Sequence, residues 1–193
     1  MAAADPLSEF SVLLARAQKA EAGDATACAL ATATRAGVPS VRIVLLKEAD
    51  ANGFTFFTNY GSRKASELQE NPHAALCFFW PSIAVQIRVQ GTVARLTAAE
   101  SSEYFATRPR ESQLGAWASQ QSAPLASREE LLDRFREIEA RYADQPVPCP
   151  PNWGGYRLTP TEIEFWWSRE FRLHDRVLYT RSGSGWTVQR LYP

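Results

Sequence analysis

The chain has 193 residues, 45% of them hydrophobic and 22% charged, with a formal net charge of zero. That length suits one domain with a sizeable core, and the charge balance excludes a broad electrostatic hold on nucleic acid or membrane. Any anion bound here is bound locally. The three cysteines, Cys28, Cys77 and Cys149, lie far apart without metal-type spacing, so neither a disulfide framework nor a metal centre is expected, and Cys28 and Cys77 read as small core residues. No charged start leads into an apolar segment, and no apolar run approaches about 18 residues. A reduced, cytoplasmic setting without membrane insertion is the expectation.

Asp5-Pro6 opens a helix with a cap followed by proline in the first turn, and Leu7, Phe10, Leu14 and Ala17 recur at helical spacing until Gly23. Residues 29–34 alternate small apolar side chains with threonine and end at Gly37, as a strand does. Residues 41–47, 54–58, 74–80 and 85–93 form further short β-type runs separated by Gly, Pro, Asn or Asp. Ser62 is placed to cap a short helix carrying Ala65 and Leu68, and Thr97-x-x-Glu100 and Ser127-x-x-Glu130 both read as capping boxes. The second box leads an amphipathic helix with Leu131, Phe135, Ile138 and Tyr142 on one face, ended by a proline-rich loop at 146–151. Strands resume at 156–158, 163–167, 176–181 and 186–191. Closely spaced strands of this kind suit an antiparallel sheet or small barrel rather than βαβ units. The expectation is therefore a single α+β domain over 1–193, barrel-centred, with a helical insertion at about 97–143 and C-terminal strands at about 156–193.

Polar clusters punctuate this apolar chain. Gly61-Ser62-Arg63-Lys64 puts two cations in the first turn of a helix, where free N–H groups and the dipole favour an anion. Arg42 and Lys47 bracket four aliphatic residues; on a buried strand they would point to opposite faces and serve two different groups. Tyr104, Arg108 and Ser112 recur at four-residue spacing and supply phosphate-type donors, with Pro109 expected to end the helix before Ser112. His174 sits between Arg172 and Arg176 beside Asp175, whereas His73 follows Asn71-Pro72 and reads as an exposed turn residue. Six tryptophans exceed what a core of this size needs, and some are expected to stack on a flat ring. No dinucleotide fingerprint, P-loop, nucleophile elbow or metal cluster is present, and Gly154-Gly155 reads as a tight turn.

Taken in order, these motifs resemble the pyridoxine/pyridoxamine 5′-phosphate oxidases, FMN enzymes of vitamin B6 metabolism. The resemblance runs from Asp5-Pro6-Leu7 to Arg190-Leu191-Tyr192-Pro193 and rests on Arg42-Ile43-Val44-Leu45-Leu46-Lys47, Thr58-Asn59-Tyr60-Gly61-Ser62-Arg63-Lys64, Arg108-Pro109-Arg110-Glu111-Ser112, Gln120-Gln121-Ser122, Trp153-Gly154-Gly155 and Arg172-Leu173-His174-Asp175-Arg176. It implies an antiparallel FMN-binding split barrel with peripheral helices and a homodimer with FMN at the subunit interface. By the family pattern the cofactor contacts are Arg42, Ile43, Val44, Leu45, Leu46, Lys47, Phe57, Thr58, Arg63, Lys64, Gln86, Gln121, Ser122, Trp166 and Arg176. Lys47, Tyr104, Arg108 and Ser112 match the positions that hold the substrate phosphate, and Arg172 and His174 match the catalytic pair over the pyridine ring. The implied reaction oxidises the C4′ alcohol or amine of the B6 phosphate to pyridoxal 5′-phosphate, with O₂ reduced to hydrogen peroxide.

Several positions depart from the pattern. Phe57 stands where Tyr is usual, Ala84-Val85 precede Gln86 where Glu-Arg is common, and Trp167 and Phe171 are bulky beside the substrate loop. The longer basic N-terminal segment of many members has no counterpart before Asp5-Pro6. Two rival functions share the same cofactor: an FMN oxidase of another ring system, as in phenazine formation, and a non-catalytic FMN- or pyridoxal-phosphate-binding protein. The Tyr104/Arg108/Ser112 set argues against the first and the Arg172/His174 pair against the second.

Overall fold

A computed structural model describes residues 5–193; residues 1–4 of the expected domain lie outside the described part. Helix α1 (Pro6–Ala20) begins as expected, the Asp5 carboxylate accepting from the backbone N–H groups of Leu7 and Ser8 at 3.3 and 3.2 Å. Its inner face sends Leu7, Phe10, Leu13 and Ala17 into the core. Phe10 is fully buried, edge-on to Phe54 and Phe78 at centroid distances of 4.9 and 5.0 Å. Burying one such side chain stabilises by about 1.5–3 kcal/mol.

The strands are β1 (Ala27–Ala33), β2 (Pro39–Leu45), β3 (Glu48–Asp50), β4 (Gly53–Asn59), β5 (His73–Trp80), β6 (Val85–Arg95), β7 (Trp153–Trp167), β8 (Asp175–Ser182) and β9 (Gly185–Leu191). All pairings are antiparallel, in the order β2-β1-β5-β6-β7-β4-β3, and β2 comes round to contact β4. Strand β7 organises the fold. Along its length it pairs with β6; its first half also pairs with β4 and its second half with β8, which carries β9. The sheet thus divides at β7 into a barrel half and a C-terminal flap.

Sequence patterning anticipated two strands where β7 is one, because Thr159-Pro160-Thr161 interrupts the apolar alternation. The structure absorbs the proline in a register shift opposite Gln90/Gly91, where Gly91 faces Pro160 and Gln90 faces Glu162. A bulge is one of the few sheet positions where proline costs no ladder bond. Gly154 and Gly155 are likewise strand residues paired with Thr58 and Phe57, not a turn.

The 41–47 run also differs from its expected buried strand. Strand β2 lies at the edge of the sheet, and Val41, Ile43 and Leu45 face outward at 68%, 66% and 40% exposure. It stops at Leu45, so strand alternation does not extend to Lys47, and Arg42 and Lys47 line one cleft rather than opposite faces.

Helices α2 (Arg63–Glu70), α3 (Ala98–Ala106), α4 (Arg110–Ala118) and α5 (Arg128–Arg141) complete the domain. The Thr97/Glu100 capping box forms reciprocally. The Ser127 box forms only in half: its hydroxyl accepts from Glu130 N–H, while the Glu130 carboxylate accepts from Ala126 N–H. On α5, Leu131, Phe135 and Ile138 are half-buried, and Phe135 and Ile138 pack with Tyr142 on a second cluster around Phe105, Leu114 and Trp153. Among the described residues no helix is long and apolar enough to cross a membrane.

Candidate functional site

A cleft of about 700 Å³ opens between β2, the end of β4, the start of α2 and the α3–α4 corner. Arg42, Lys47, Thr58, Lys64, Tyr104, Arg108, Ser112 and Gln121 all line it. Residues spread over 80 positions of sequence, from Arg42 to Gln121, therefore meet in one concavity, with cations at both ends.

The first end is built by α2. Ser62 holds the N-cap position, yet its hydroxyl does not cap; it lies 3.3 Å from Lys64 Nζ instead. Lys64 Nζ also donates to Thr58 Oγ1 at 3.0 Å and Gln121 Oε1 at 2.8 Å. Burial, reinforced by the neighbouring Arg42 charge, pulls the Lys64 pKa down to about 8. An ammonium among neutral oxygens in a low-dielectric site gains most from an anion. Arg42 reaches back across the sheet edge to Leu30 O at 3.0 Å and Thr32 Oγ1 at 2.6 Å, and its Nη2 approaches Glu67 Oε2 at 3.3 Å. Arg63 sits just outside the cleft lining, its Nε donating to Glu67 Oε1 at 2.8 Å. Burial would raise the Glu67 pKa, but hydrogen bonds from Ser40, Thr32 and Arg63 outweigh it and hold the carboxyl at about 2.

The other end is aromatic. Phe57, Tyr104 and Trp153 lie nearly parallel, with Phe57 and Tyr104 centroids 3.9 Å apart and Phe57 and Trp153 5.3 Å apart. Gly155 permits this stack, since a Cβ there would stand 2.9 Å from Phe57 Cε1. The Arg108 guanidinium rests on the Trp153 face at 4.7 Å, a cation–π contact. Its Nη1 is buried and finds no hydrogen-bond partner among the described residues, and burial lowers its pKa. Pro109 separates α3 from α4, which sets Ser112 in the first turn of α4 rather than on the Tyr104 helix. The cleft thus offers two separate sets of anion-seeking donors flanking a flat apolar wall, which fits a phosphorylated cofactor and a phosphorylated substrate held together.

A second group of polar side chains lies on the C-terminal flap. Gln86, Trp166 and Arg176 are register neighbours on β6, β7 and β8. His174 lies 4.4 Å from the Trp166 ring, and its Nδ1 accepts from Arg169 N–H at 3.1 Å. Glu164, buried between the strands, takes hydrogen bonds from Arg88 and from Arg176 Nε. Burial again works against its ionisation, but the Arg176 and Arg88 hydrogen bonds prevail and its pKa is lowered. The loop joining β7 to β8 holds Phe171 and Arg172 at φ of 55° and 61°, a conformation side chains rarely adopt. Phe171 is 86% exposed.

Residues 14–142 match the family described as pyridoxamine 5′-phosphate oxidase, and residues 153–193 match the pyridoxine 5′-phosphate oxidase C-terminal dimerisation region. The chain belongs to the pyridoxamine 5′-phosphate oxidase family. A relative from Anaeromyxobacter dehalogenans named pyridoxine/pyridoxamine 5′-phosphate oxidase is 56% identical over 192 residues, covering 100% of this chain and 97% of its own length. One of the same name from Rubrobacter xylanophilus is 54% identical, covering 98% and 87%. Among solved structures, PhzG from Burkholderia lata, in complex with tetrahydrophenazine-1-carboxylic acid, is similar with a TM-score of 0.93 at 34% identity, covering 98% of this chain and 93% of that one. A pyridoxamine 5′-phosphate oxidase-related, FMN-binding protein from Nostoc punctiforme shares the fold with a TM-score of 0.82 at 18% identity, covering 99% and 100%. The fold is the split barrel of this oxidase family.

Against the family pattern, the cleft gathers Arg42, Ile43, Val44, Leu45, Lys47, Phe57, Thr58, Lys64, Gln121, Tyr104, Arg108 and Ser112. Leu46 does not line it and is buried in the main core, at 4% exposure. Ser122 follows Gln121 in a left-handed conformation, at φ 72°. Arg63 is joined to the cleft through Glu67. Gln86, Trp166, Arg172, His174 and Arg176 do not line it; Gln86 sits on β6 beside Trp166, and the others belong to β7 and the flap. Sequence patterning missed Glu67, Glu164 and Trp153 as site residues. Two of these had a signal: a glutamate inside an apolar strand, as Glu164 is, must find a charged partner, and Trp153 opens the Trp153-Gly154-Gly155 motif. Glu67 had none, because a glutamate on a short helix reads as solvent-facing.

Proposed function

We propose that this chain is an FMN-dependent pyridoxine/pyridoxamine 5′-phosphate oxidase acting as a homodimer. The observation that carries the reading is the cleft's pair of unneutralised cations. Lys64 faces only neutral oxygens, and Arg108 Nη1 has no partner among the described residues. With the family membership, these poles correspond to a flavin phosphate and a substrate phosphate.

Arg42, Arg63, Lys64, Thr58 and Gln121 would hold FMN. FMN would supply the redox chemistry there, a two-electron oxidation at C4′ with O₂ as final acceptor, reduced to hydrogen peroxide. The chain's own contribution is positioning. Lys47, Tyr104, Arg108 and Ser112 bind the substrate phosphate, and Phe57 and Tyr104 present a flat wall beside it. Arg172 and His174 orient the reacting edge. Because they sit on the flap, outside the cleft, the proposed dimer brings the flap of one subunit over the cleft of its partner. The outward apolar row Val41, Ile43 and Leu45 and the match of residues 153–193 to a dimerisation region support that arrangement.

A phenazine-type substrate is the rival, given the likeness to PhzG. The higher identity to the phosphate oxidases, 56% against 34%, and the Tyr104/Arg108/Ser112 set favour the B6 phosphate. The deciding experiment is the flavin spectrum of FMN-loaded protein under anaerobic conditions. Adding pyridoxine 5′-phosphate should bleach the flavin band, and air should restore it with aldehyde formed. A flavin that binds but stays oxidised would overturn the proposed activity.

A further inference from the structure

Glu67 is a buried carboxylate placed among the cationic groups of the cleft, at 4% exposure. It stands one turn beyond Arg63 on α2. Oε1 accepts from Arg63 Nε at 2.8 Å, and Oε2 accepts from Ser40 Oγ at 2.5 Å, from Arg42 Nη2 at 3.3 Å and from the Thr32 hydroxyl. Four donors from β1, β2 and α2 converge on one side chain. A buried carboxylate is tolerated only when satisfied in this way, but the arrangement also fixes the two arginines around it.

The consequences for Arg42 and Arg63 differ. Arg42 is already held by Leu30 O and Thr32 Oγ1, so Glu67 completes a rigid seat. The Arg63 side chain is 61% exposed, and Glu67 is its only hydrogen-bond partner among the described residues. With Nε engaged, its two terminal nitrogens remain a free planar fork, the geometry that takes a phosphate in bidentate fashion. A free arginine side chain carries about 2 kcal/mol of rotamer entropy, and fixing it beforehand removes part of the cost of binding. Three cations, Arg42, Arg63 and Lys64, against one carboxylate still leave the site positive.

We propose that Glu67 is a positioning residue for the phosphate of the flavin, joining the Arg63 fork to the cleft-lining Arg42 before the cofactor arrives. The inference rests on the flavin reading above and adds a residue that touches neither cofactor nor substrate.

The test compares FMN with riboflavin, which has the same ring but no phosphate, by fluorescence-quenching titration of flavin-stripped full-length protein. Glu67→Gln and Glu67→Asp are measured beside the wild type, each with its thermal midpoint. Glu67→Asp keeps the charge on a stem one carbon too short to span both arginines, so it serves if Glu67→Gln fails to fold. The expected result is FMN affinity weakened roughly 10- to 100-fold, the loss of one or two charge-assisted hydrogen bonds, with riboflavin affinity unchanged. Equal weakening for both flavins, or for neither, overturns the positioning role. Wild-type protein that binds the two flavins equally overturns the flavin-phosphate assignment beneath it.

Discussion

The Arg108 guanidinium carbon stands 4.7 Å above the centre of the Trp153 ring, and its buried Nη1 donates to nothing among the described residues. Tryptophan holds the charge in place without consuming its hydrogen bonds, leaving an unpaired donor that costs about 1–3 kcal/mol in the ligand-free protein. A substrate phosphate bound there, as proposed, would remove that cost. Arg108→Ala should therefore raise KM for pyridoxine 5′-phosphate by roughly 10- to 100-fold with kcat little changed, because the contact exists in ground and transition states alike. Steady-state kinetics decide it, and an unchanged KM would sink the assignment. Arg108→Met should leave the ligand-free thermal midpoint level or higher.

Lys64 gives a pH signature of definite sign. Its folded pKa is about 8 against an ordinary 10.5, so the folded protein holds this proton less tightly than the unfolded chain. The resulting destabilisation is fully present below pH 8 and disappears as pH rises from 8 to 10.5, and stability rises through that window. In urea denaturation, the wild type should gain on Lys64→Met between these limits, whereas equal curves would show an unstrained ammonium. FMN affinity should move the other way, falling above pH 8 as the charge is lost.

Much of this was legible in the residues. The Asp5 cap, the Thr97/Glu100 box and the strands β1, β2, β4, β5 and β6 follow local rules that tertiary packing did not override, whereas the three-residue β3 was not read at all. The errors share a cause: an apolar run says that a face is covered, not by what. Val41, Ile43 and Leu45 read as core but face outward on an edge strand. Pro160 read as a strand break because a bulge depends on the partner strand, which the sequence does not pair. Lys64 was singled out by its place in a helix's first turn and Arg108 by its spacing from Tyr104, whereas Glu67 required knowing that β1, β2 and α2 converge.

Gly91 tests the bulge. A Cβ there would lie 2.0 Å from Thr159 O and 2.9 Å from Pro160 Cα, both backbone atoms that cannot swing aside. Gly91→Ala must push β6 from β7, the strand shared by barrel and flap, and should destabilise by at least 2 kcal/mol, in the range of severe packing defects. Denaturant unfolding reads this directly. The companion change Gly37→Asn, at φ 83° with open space around it, should cost under about 1 kcal/mol, since asparagine tolerates that conformation. Equal costs would mean that the close approach is not maintained.

Val41 separates fold from assembly. It is 68% exposed at the sheet edge and makes no part of the cleft lining. In an isolated chain Val41→Glu should change stability by no more than about 0.5 kcal/mol, as for other surface positions. In the proposed dimer the same carboxylate would be buried at the interface, a cost of several kcal/mol where no cation pairs with it. Sedimentation should therefore show the wild type as a dimer and Val41→Glu as a folded monomer. If Arg172, His174, Trp166 and Arg176 complete the cleft of the other subunit, FMN affinity and turnover should fall together with dimer content and return at high protein concentration. A Val41→Glu dimer with full activity would place the interface elsewhere and leave the apolar row on β2 without a partner.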